Sequence, residues 1–255
     1  MNDVRKQIEA ALKAFAGQPL LPAATTLFET LGYASKKRLE LTPNNREQFL
    51  ATFAQDKTLN DKMALPEEWK SIDFIFQLTD DEIREAGNQK FLFDSKGAYD
   101  GAVIESYLFF ALDLKGSHYT RTALAGITRE LNKLFAMPAF ILFRYGDNIT
   151  LAIINRRLYK RDQSRDVLEK VTLIKDIAFA DPIRAHVEIL NDLALTNLDT
   201  DFGVSNFVRL HEAWQKRLGS YALSNAFYRE IADWYFWAHH LVEDGTIRLP
   251  QHCDT

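Results

Sequence analysis

Asp113 and Lys115 stand two residues apart at the end of Tyr107–Lys115, a run (Tyr-Leu-Phe-Phe-Ala-Leu-Asp-Leu-Lys) that is otherwise apolar. A continuous apolar run of this length reads as a strand buried on both faces. Side chains alternate along a strand, so Tyr107, Phe109, Ala111, Asp113 and Lys115 share one face. A carboxylate and an ammonium then emerge together where a buried strand meets its exit loop. Such a pair can hold a divalent cation through Asp113 and steady developing phosphate charge through Lys115, the requirement for metal-dependent cleavage of a phosphodiester. A plain salt bridge closing the end of a core strand satisfies the same two residues, and by themselves they favour it.

A second set of residues could meet a polyanion. Arg156, Arg157, Lys160, Arg161, Arg165, Lys170 and Lys175 fall close together, relieved only by Asp162, Asp166, Glu169 and Asp176. Cations in such a cluster neutralise phosphates without reading sequence, and binding of this kind is salt-sensitive. Arg121 and Arg129 stand eight apart in a helical segment, nearly on one face, and could share that surface. The alternative is a solvated charged face with internal pairs such as Arg165 with Glu169 at helical spacing.

The elements that must position these residues can be read from periodicity. Val4, Ile8, Leu12 and Phe15 recur at helical spacing up to Gly17 and Pro19, and Ala23–Leu31 repeats the pattern. Asn44 or Asn45 could cap a third helix running to about Ala54. The polar section Asp56–Trp69 is the best internal boundary. Ile72–Leu78 reads as a strand, and Thr79-Asp-Asp-Glu82 as a capping box opening a short helix. Phe91–Phe93 is a short strand candidate, followed by a polar loop and then Tyr107–Lys115. Thr120–Phe135 is an amphipathic helix with Leu124, Ile127, Leu131 and Leu134 on one stripe. Ala139–Tyr145 and Ile149–Ile154 form a hairpin around Gly146-Asp147-Asn148. The fold expected is α/β: a small mixed sheet of about five strands with a crossover helix, flanked by N-terminal and C-terminal helices. The expected division is a helical segment over 1–70, an α/β core over 71–180, a helical segment over 181–245 and a tail over 246–255.

The C-terminal third is expected to hold helices at Arg184–Leu195, Phe207–Leu218 and Asn225–Val242. Trp234, Tyr235, Phe236 and Trp237 occupy consecutive positions, so on a helix they point nearly all round it. Core packing is the expectation for Trp234 and Trp237, with a docking face as the alternative. His239 and His240 are adjacent, about 100° apart on a helix, which is poor geometry for joint metal ligation.

Composition narrows the classes. The chain has 255 residues, 47% hydrophobic and 26% charged, with a formal net charge of −4. That balance suits a globular protein and argues against one that coats nucleic acid generally. No apolar run reaches membrane-spanning length, the N-terminus lacks a signal-peptide core, and the single cysteine, Cys253, can form no internal disulfide. Together these point to a cytoplasmic protein with no membrane partner.

Short strands of which the last ends Asp-x-Lys, then a helix, then another strand, resemble the core of PD-(D/E)xK nucleases. In that superfamily a carboxylate upstream of the acid-x-Lys pair shares the metal. The resemblance therefore implies Mg²⁺ held by Asp113 and by Asp100 or Asp94, ranked ahead of Glu105 because Glu105 opens the strand itself. Lys115 would orient the attacking water or stabilise the transition state. A second resemblance runs from about Ser71 to Ala238. Phe110-Ala-Leu-Asp-Leu-Lys-Gly, Ile127-Thr-Arg-Glu-Leu-Asn-Lys-Leu-Phe, Leu151-Ala-Ile-Ile-Asn-Arg-Arg-Leu-Tyr-Lys-Arg-Asp and Trp234-Tyr-Phe-Trp-Ala look like the N-terminal region of type IIG-like restriction–modification proteins. Those proteins carry an adenine-specific DNA methyltransferase further along the same chain. The partners implied are DNA, through Arg121, Arg129, Arg156, Arg157, Lys160 and Arg161, and a methyltransferase module in the same or another chain. The chain departs from the full architecture in having no Asn-Pro-Pro-Tyr or Asp-Pro-Pro-Tyr motif and no glycine-rich cofactor loop, so it is not expected to methylate DNA by itself. The alternative function is a non-catalytic module that positions DNA or couples subunits.

Overall fold

A strand without polar interruption must be covered on both sides, and the chain supplies a helical layer for each face. The computed structural model describes residues 2–38, 46–53, 66–86, 106–135, 137–158 and 166–243. Its helices are α1 (Asn2–Lys13), α2 (Leu20–Thr30), α3 (Arg46–Phe53), α4 (Asp80–Ala86), α5 (Arg121–Lys133), α6 (Arg184–Asp192), α7 (Leu195–Phe202) and α8 (Phe207–Glu243). Its strands are β1 (Trp69–Thr79), β2 (Ser106–Leu114), β3 (Ala139–Tyr145), β4 (Asn148–Leu158) and β5 (Asp166–Ala178). They form one mixed sheet in the order β1-β2-β3-β4-β5, in which only the β2–β3 pair is parallel. A parallel pair needs a crossover, and α5 provides it between β2 and β3. The protein is thus an α/β protein with a five-stranded mixed sheet, as periodicity implied.

Alternation divides the buried residues between two cores. Ile72, Phe110, Leu112, Leu114, Ile141 and Phe143 meet α5 through Leu124, Ile127 and Leu131, and α3 through Phe49. Phe76, Tyr107, Phe109, Ala111, Phe140 and Leu142 face the other way, into a larger core with Leu12, Leu27, Phe28, Leu190, Leu198, Phe207, Leu210 and Trp214. N-terminal and C-terminal helices therefore share one core on one face of the sheet. Each fully buried aromatic or aliphatic side chain there contributes roughly 1.5–3 kcal/mol.

Local chemistry fixes the ends. Thr120 caps α5, its hydroxyl accepting from Ala123 N–H at 3.1 Å. Asn132 near the other end of α5 accepts from Ala139 N–H at 2.8 Å, tying the helix to the start of β3. The Thr79–Glu82 capping box is present: Thr79 N–H donates to the Glu82 carboxylate at 2.9 Å. Gly146 turns the β3–β4 hairpin at φ 51°, and a Cβ there would come within 3.2 Å of the Ser117 carbonyl.

Several boundaries differ from expectation. β1 begins at Trp69, which is fully buried, so the polar section before it ends sooner than Asp56–Trp69 implied. β4 continues beyond Ile154 to Leu158, because β5 offers it a partner along its whole length. β5 itself was missed: Glu169, Lys170, Lys175 and Asp176 dilute its apolar residues and suggest a helix face instead. Phe91–Phe93, the Asn44 or Asn45 cap and most of Asp56–Trp69 lie outside the described residues. Arg184–Leu195 divides into α6 and the start of α7, while the two expected terminal helices are one, α8.

Candidate functional site

The register of three strands gathers charge at one end of the sheet. Asp113 pairs with Ser71 on β1 and with Arg144 on β3, and Asp73 pairs with Ala111. Directly opposed residues point to the same face, so Asp73, Asp113 and Arg144 all lie on the larger core's side. Asp73 and Asp113 are diagonal neighbours on antiparallel strands, a relation that separates Cα atoms by about 7–8 Å. Two carboxylates so placed can converge on one ion.

Arg144 lies beside them. Its Nη2 donates to Asp113 Oδ2 at 2.6 Å, and its Nη1 to the Gln18 carbonyl, in the turn between α1 and α2, at 3.3 Å. Both charged side chains are mostly buried, 19% exposed for Arg144 and 14% for Asp113. Asp73 feels all of this: burial pushes its carboxyl above the usual range, the Arg144 charge pulls it back, and the Asp113 charge raises it again.

The salt bridge that the sequence allowed between Asp113 and Lys115 is not the one formed. Asp113 pairs with Arg144, and Lys115 is exposed just beyond the end of β2. Its backbone is nonetheless held, with Lys115 N–H donating to the Glu68 carbonyl at 2.9 Å. Tyr119 braces the following turn: its hydroxyl accepts from Gly116 N–H at 3.0 Å and donates to Glu68 at 3.1 Å. A Cβ at Gly116 would meet the Tyr119 ring at 3.0 Å, so the glycine permits that close approach.

The upstream acids expected at Asp100 and Asp94, with Glu105 behind them, lie outside the described residues. The carboxylate that the described structure brings to Asp113 is Asp73, which spacing did not single out. Its signal was present: Asp73, Asp113 and Arg144 are each a lone charge within an apolar stretch of strand. Among the described residues no group of three or more His, Cys, Asp or Glu gathers into a metal-binding cluster. Two hard carboxylate oxygens from Asp73 and Asp113 still suit Mg²⁺, which is commonly bound through one or two carboxylates with water completing its shell.

The basic residues are placed as follows. Arg121 donates through both terminal nitrogens to the Leu173 carbonyl, at 3.2 and 2.8 Å, and so ties α5 to β5. Arg129 is half-buried on α5. Arg156 and Arg157 belong to β4, paired with Leu168 and Val167, rather than following the hairpin. Lys160 and Arg161 lie outside the described residues. A cavity of about 360 Å³ lined by Phe74, Leu108, Phe110, Phe135 and Met137, together with Lys37, Arg38 and Gln77, sits by the smaller core, on the opposite face from Asp113.

No family model, curated protein or solved structure matches this chain. No helix among the described residues is long and apolar enough to cross a membrane.

Proposed function

We infer that the chain is the nuclease part of a cytoplasmic restriction–modification system, hydrolysing a DNA phosphodiester with Mg²⁺. The observation that carries this reading is the juxtaposition of Asp73 and Asp113 on one sheet face, with Lys115 two residues beyond. Asp73 and Asp113 would hold the ion. When bound, Mg²⁺ supplies a Lewis acid for the phosphate and an acidified water. Lys115, exposed on a turn braced by Tyr119, offers its ammonium to a phosphate without having to leave a buried site. The resemblance to type IIG-like proteins supplies the rest of the proposal: the cations from Arg156 to Arg161 contact the DNA backbone, and an adenine-specific methyltransferase is the partner module.

The test is nicking of supercoiled plasmid in Mg²⁺. Asp73→Asn and Asp113→Asn should each reduce it by more than the roughly 100-fold that loss of an outer-shell partner costs a metal site. Undiminished cleavage by either variant removes that residue from the site, and by both removes the reading.

A second reading, a non-catalytic module that couples subunits, draws on the far end of α8. Ile231, Trp234, Tyr235, Phe236 and Trp237 are 45–70% exposed there, against the expectation that Trp234 and Trp237 pack in a core. Contiguous exposed aromatics of this kind mark interaction surfaces. Under this reading the Asp113–Arg144 pair is a structural latch, and neither Asp variant alters any activity on DNA.

A further inference from the structure

The face of the sheet opposite Asp113 carries a cavity of about 360 Å³ that the proposed chemistry leaves unused. Its apolar walls come from β1 and β2 and from the segment after α5. Leu108 and Phe110 are buried, while Phe74, Phe135 and Met137 are half-buried, so the space is open at one side. An apolar cavity of about 150 Å³ holds a benzene ring, so this one suits a body of about two rings or eight to twelve carbons. Its size also falls in the usual range of small-molecule sites, about 300–1,000 Å³.

The polar groups around the cavity decide what else a ligand must carry. Gln77 Nε2 donates to Ser106 Oγ at 3.0 Å and to Met137 Sδ at 3.5 Å, and the Ser106 hydroxyl donates to the same sulfur. These neutral donors are spent inside the protein. The donors left to a ligand are cationic, on Lys37 and Arg38, which are both exposed. Hydrogen bonds to β1 hold that segment in place. Gln77 N–H donates to the Lys37 carbonyl at 2.9 Å, the Ser35 hydroxyl to the Gln77 carbonyl at 2.7 Å, and Lys37 N–H to Ser35 Oγ at 3.0 Å. Arg38 Nε donates to the Ser35 carbonyl at 3.3 Å and Nη2 to Glu29 at 2.6 Å, and neither bond uses Nη1. Glu29, and Glu82 within reach of the Lys37 charge, stand outside the cavity lining. They offset part of the positive charge, so a head group with a single negative charge suits the rim better than a phosphate monoester with about two.

We propose that this cavity is a binding site for a small carboxylic acid with an apolar body. The body lies between the Phe74, Phe110 and Phe135 walls, and the carboxylate meets Lys37 and Arg38. Burial of the body supplies affinity, and the two cations select the acid over a neutral molecule of the same shape. The site is independent of the nuclease chemistry, since it and Asp113 lie on opposite faces of the sheet.

The experiment titrates the full chain with hexanoate, octanoate, decanoate, decanol and 2-naphthoate by calorimetry, below the concentrations at which micelles form. Affinity should rise about fourfold per added methylene from hexanoate to decanoate. Decanol should bind at least about tenfold more weakly than decanoate, because it forgoes the charge-assisted bonds. The tighter of decanoate and 2-naphthoate assigns the body as acyl or aryl. The double variant Lys37→Gln, Arg38→Gln should bind decanoate no better than decanol. Met137→Trp, which fills the cavity, should lose both ligands, with circular dichroism and thermal melting as checks on folding. Should Met137→Trp fail to fold, the double variant decides, since both of its side chains are exposed. Binding of neither acid, or decanol binding as tightly as decanoate, overturns the site. Decanoate binding undiminished in either variant also overturns it, and is the result expected if the exposed aromatics of α8 take up the acid instead.

Discussion

The charged end of the β1–β2–β3 strands and the aromatic end of α8 depart from ordinary burial in opposite senses. At the first, Asp73, Asp113 and Arg144 are drawn into the protein, and each finds compensation inside it: an ion pair, a backbone carbonyl, a neighbouring hydroxyl. At the second, Trp234 and Phe236 stand 65% and 70% exposed, and Tyr235 makes ring contacts with Phe236 and His239 of the same helix segment. The contrast is sharper because the other half of α8 behaves conventionally. Trp214 is fully buried, its indole N–H donating to Tyr33 at 2.8 Å, and Tyr33 donates in turn to the Leu193 carbonyl. A buried charge with internal partners belongs to the isolated chain. An aromatic cluster exposed on all sides of a helix stabilises nothing until another surface meets it.

The largest effect that tests this contrast lies within α8. Trp214→Ala should cost about 3–5 kcal/mol in chemical denaturation, since it opens a cavity and removes the indole donor from the Tyr33 hydroxyl, which keeps only the Leu193 carbonyl. Trp237→Ala should change stability by no more than about 0.5 kcal/mol. Comparable losses from both would mean that the exposed aromatics already have an intramolecular partner, and the contrast would collapse.

Next in size is a pH effect at the buried half of the same helix. His211 accepts or donates at 2.6 Å to the Tyr107 hydroxyl and at 2.7 Å to Gln215, and burial lowers its pKa from 6.5 to about 4. The unfolded chain thus binds this proton more readily than the folded one between those values. Stability from this residue is fully present above about pH 6.5 and is lost as pH falls towards 4, by on the order of 3 kcal/mol. Denaturation midpoints of His211→Gln should be flatter over that window than the parent's. Parallel curves for the two proteins would assign the acid sensitivity elsewhere.

The smallest expected effect belongs to the charged end itself. Asp113→Ala leaves the mostly buried Arg144 guanidinium with the Gln18 carbonyl alone and should cost about 1–3 kcal/mol. Replacing Arg144 as well should recover part of that loss, because no guanidinium is then left without its carboxylate, and Asp73 is the acidic group that remains. A double variant as unstable as the sum of the single changes would show that the two charges are not energetically coupled, and that compensation at this end is incomplete.

Much of the scaffold was legible in the residues. The apolar run before Asp113, the stripe of α5, the glycine turn at Gly146 and the Thr79–Glu82 capping box all act within a few residues, and each formed where its pattern lay. The failures share one cause. β5 carries five charged residues in thirteen, and it becomes a strand because β4 is there to pair with it. The continuity of α8 depends on cooperative helix propagation through a region whose apolar spacing alone marks two segments.

At the site, residue order is enough to bring a carboxylate and a lysine out at the end of a buried strand, because alternation is a local property of extended backbone. Tertiary structure alone decided which groups meet that carboxylate. Asp73 and Arg144 reach it through the register of an antiparallel and a parallel neighbour, and Gln18 reaches Arg144 from a turn 126 positions away in sequence. Local periodicity records which face a residue occupies; only strand pairing records which residues share it.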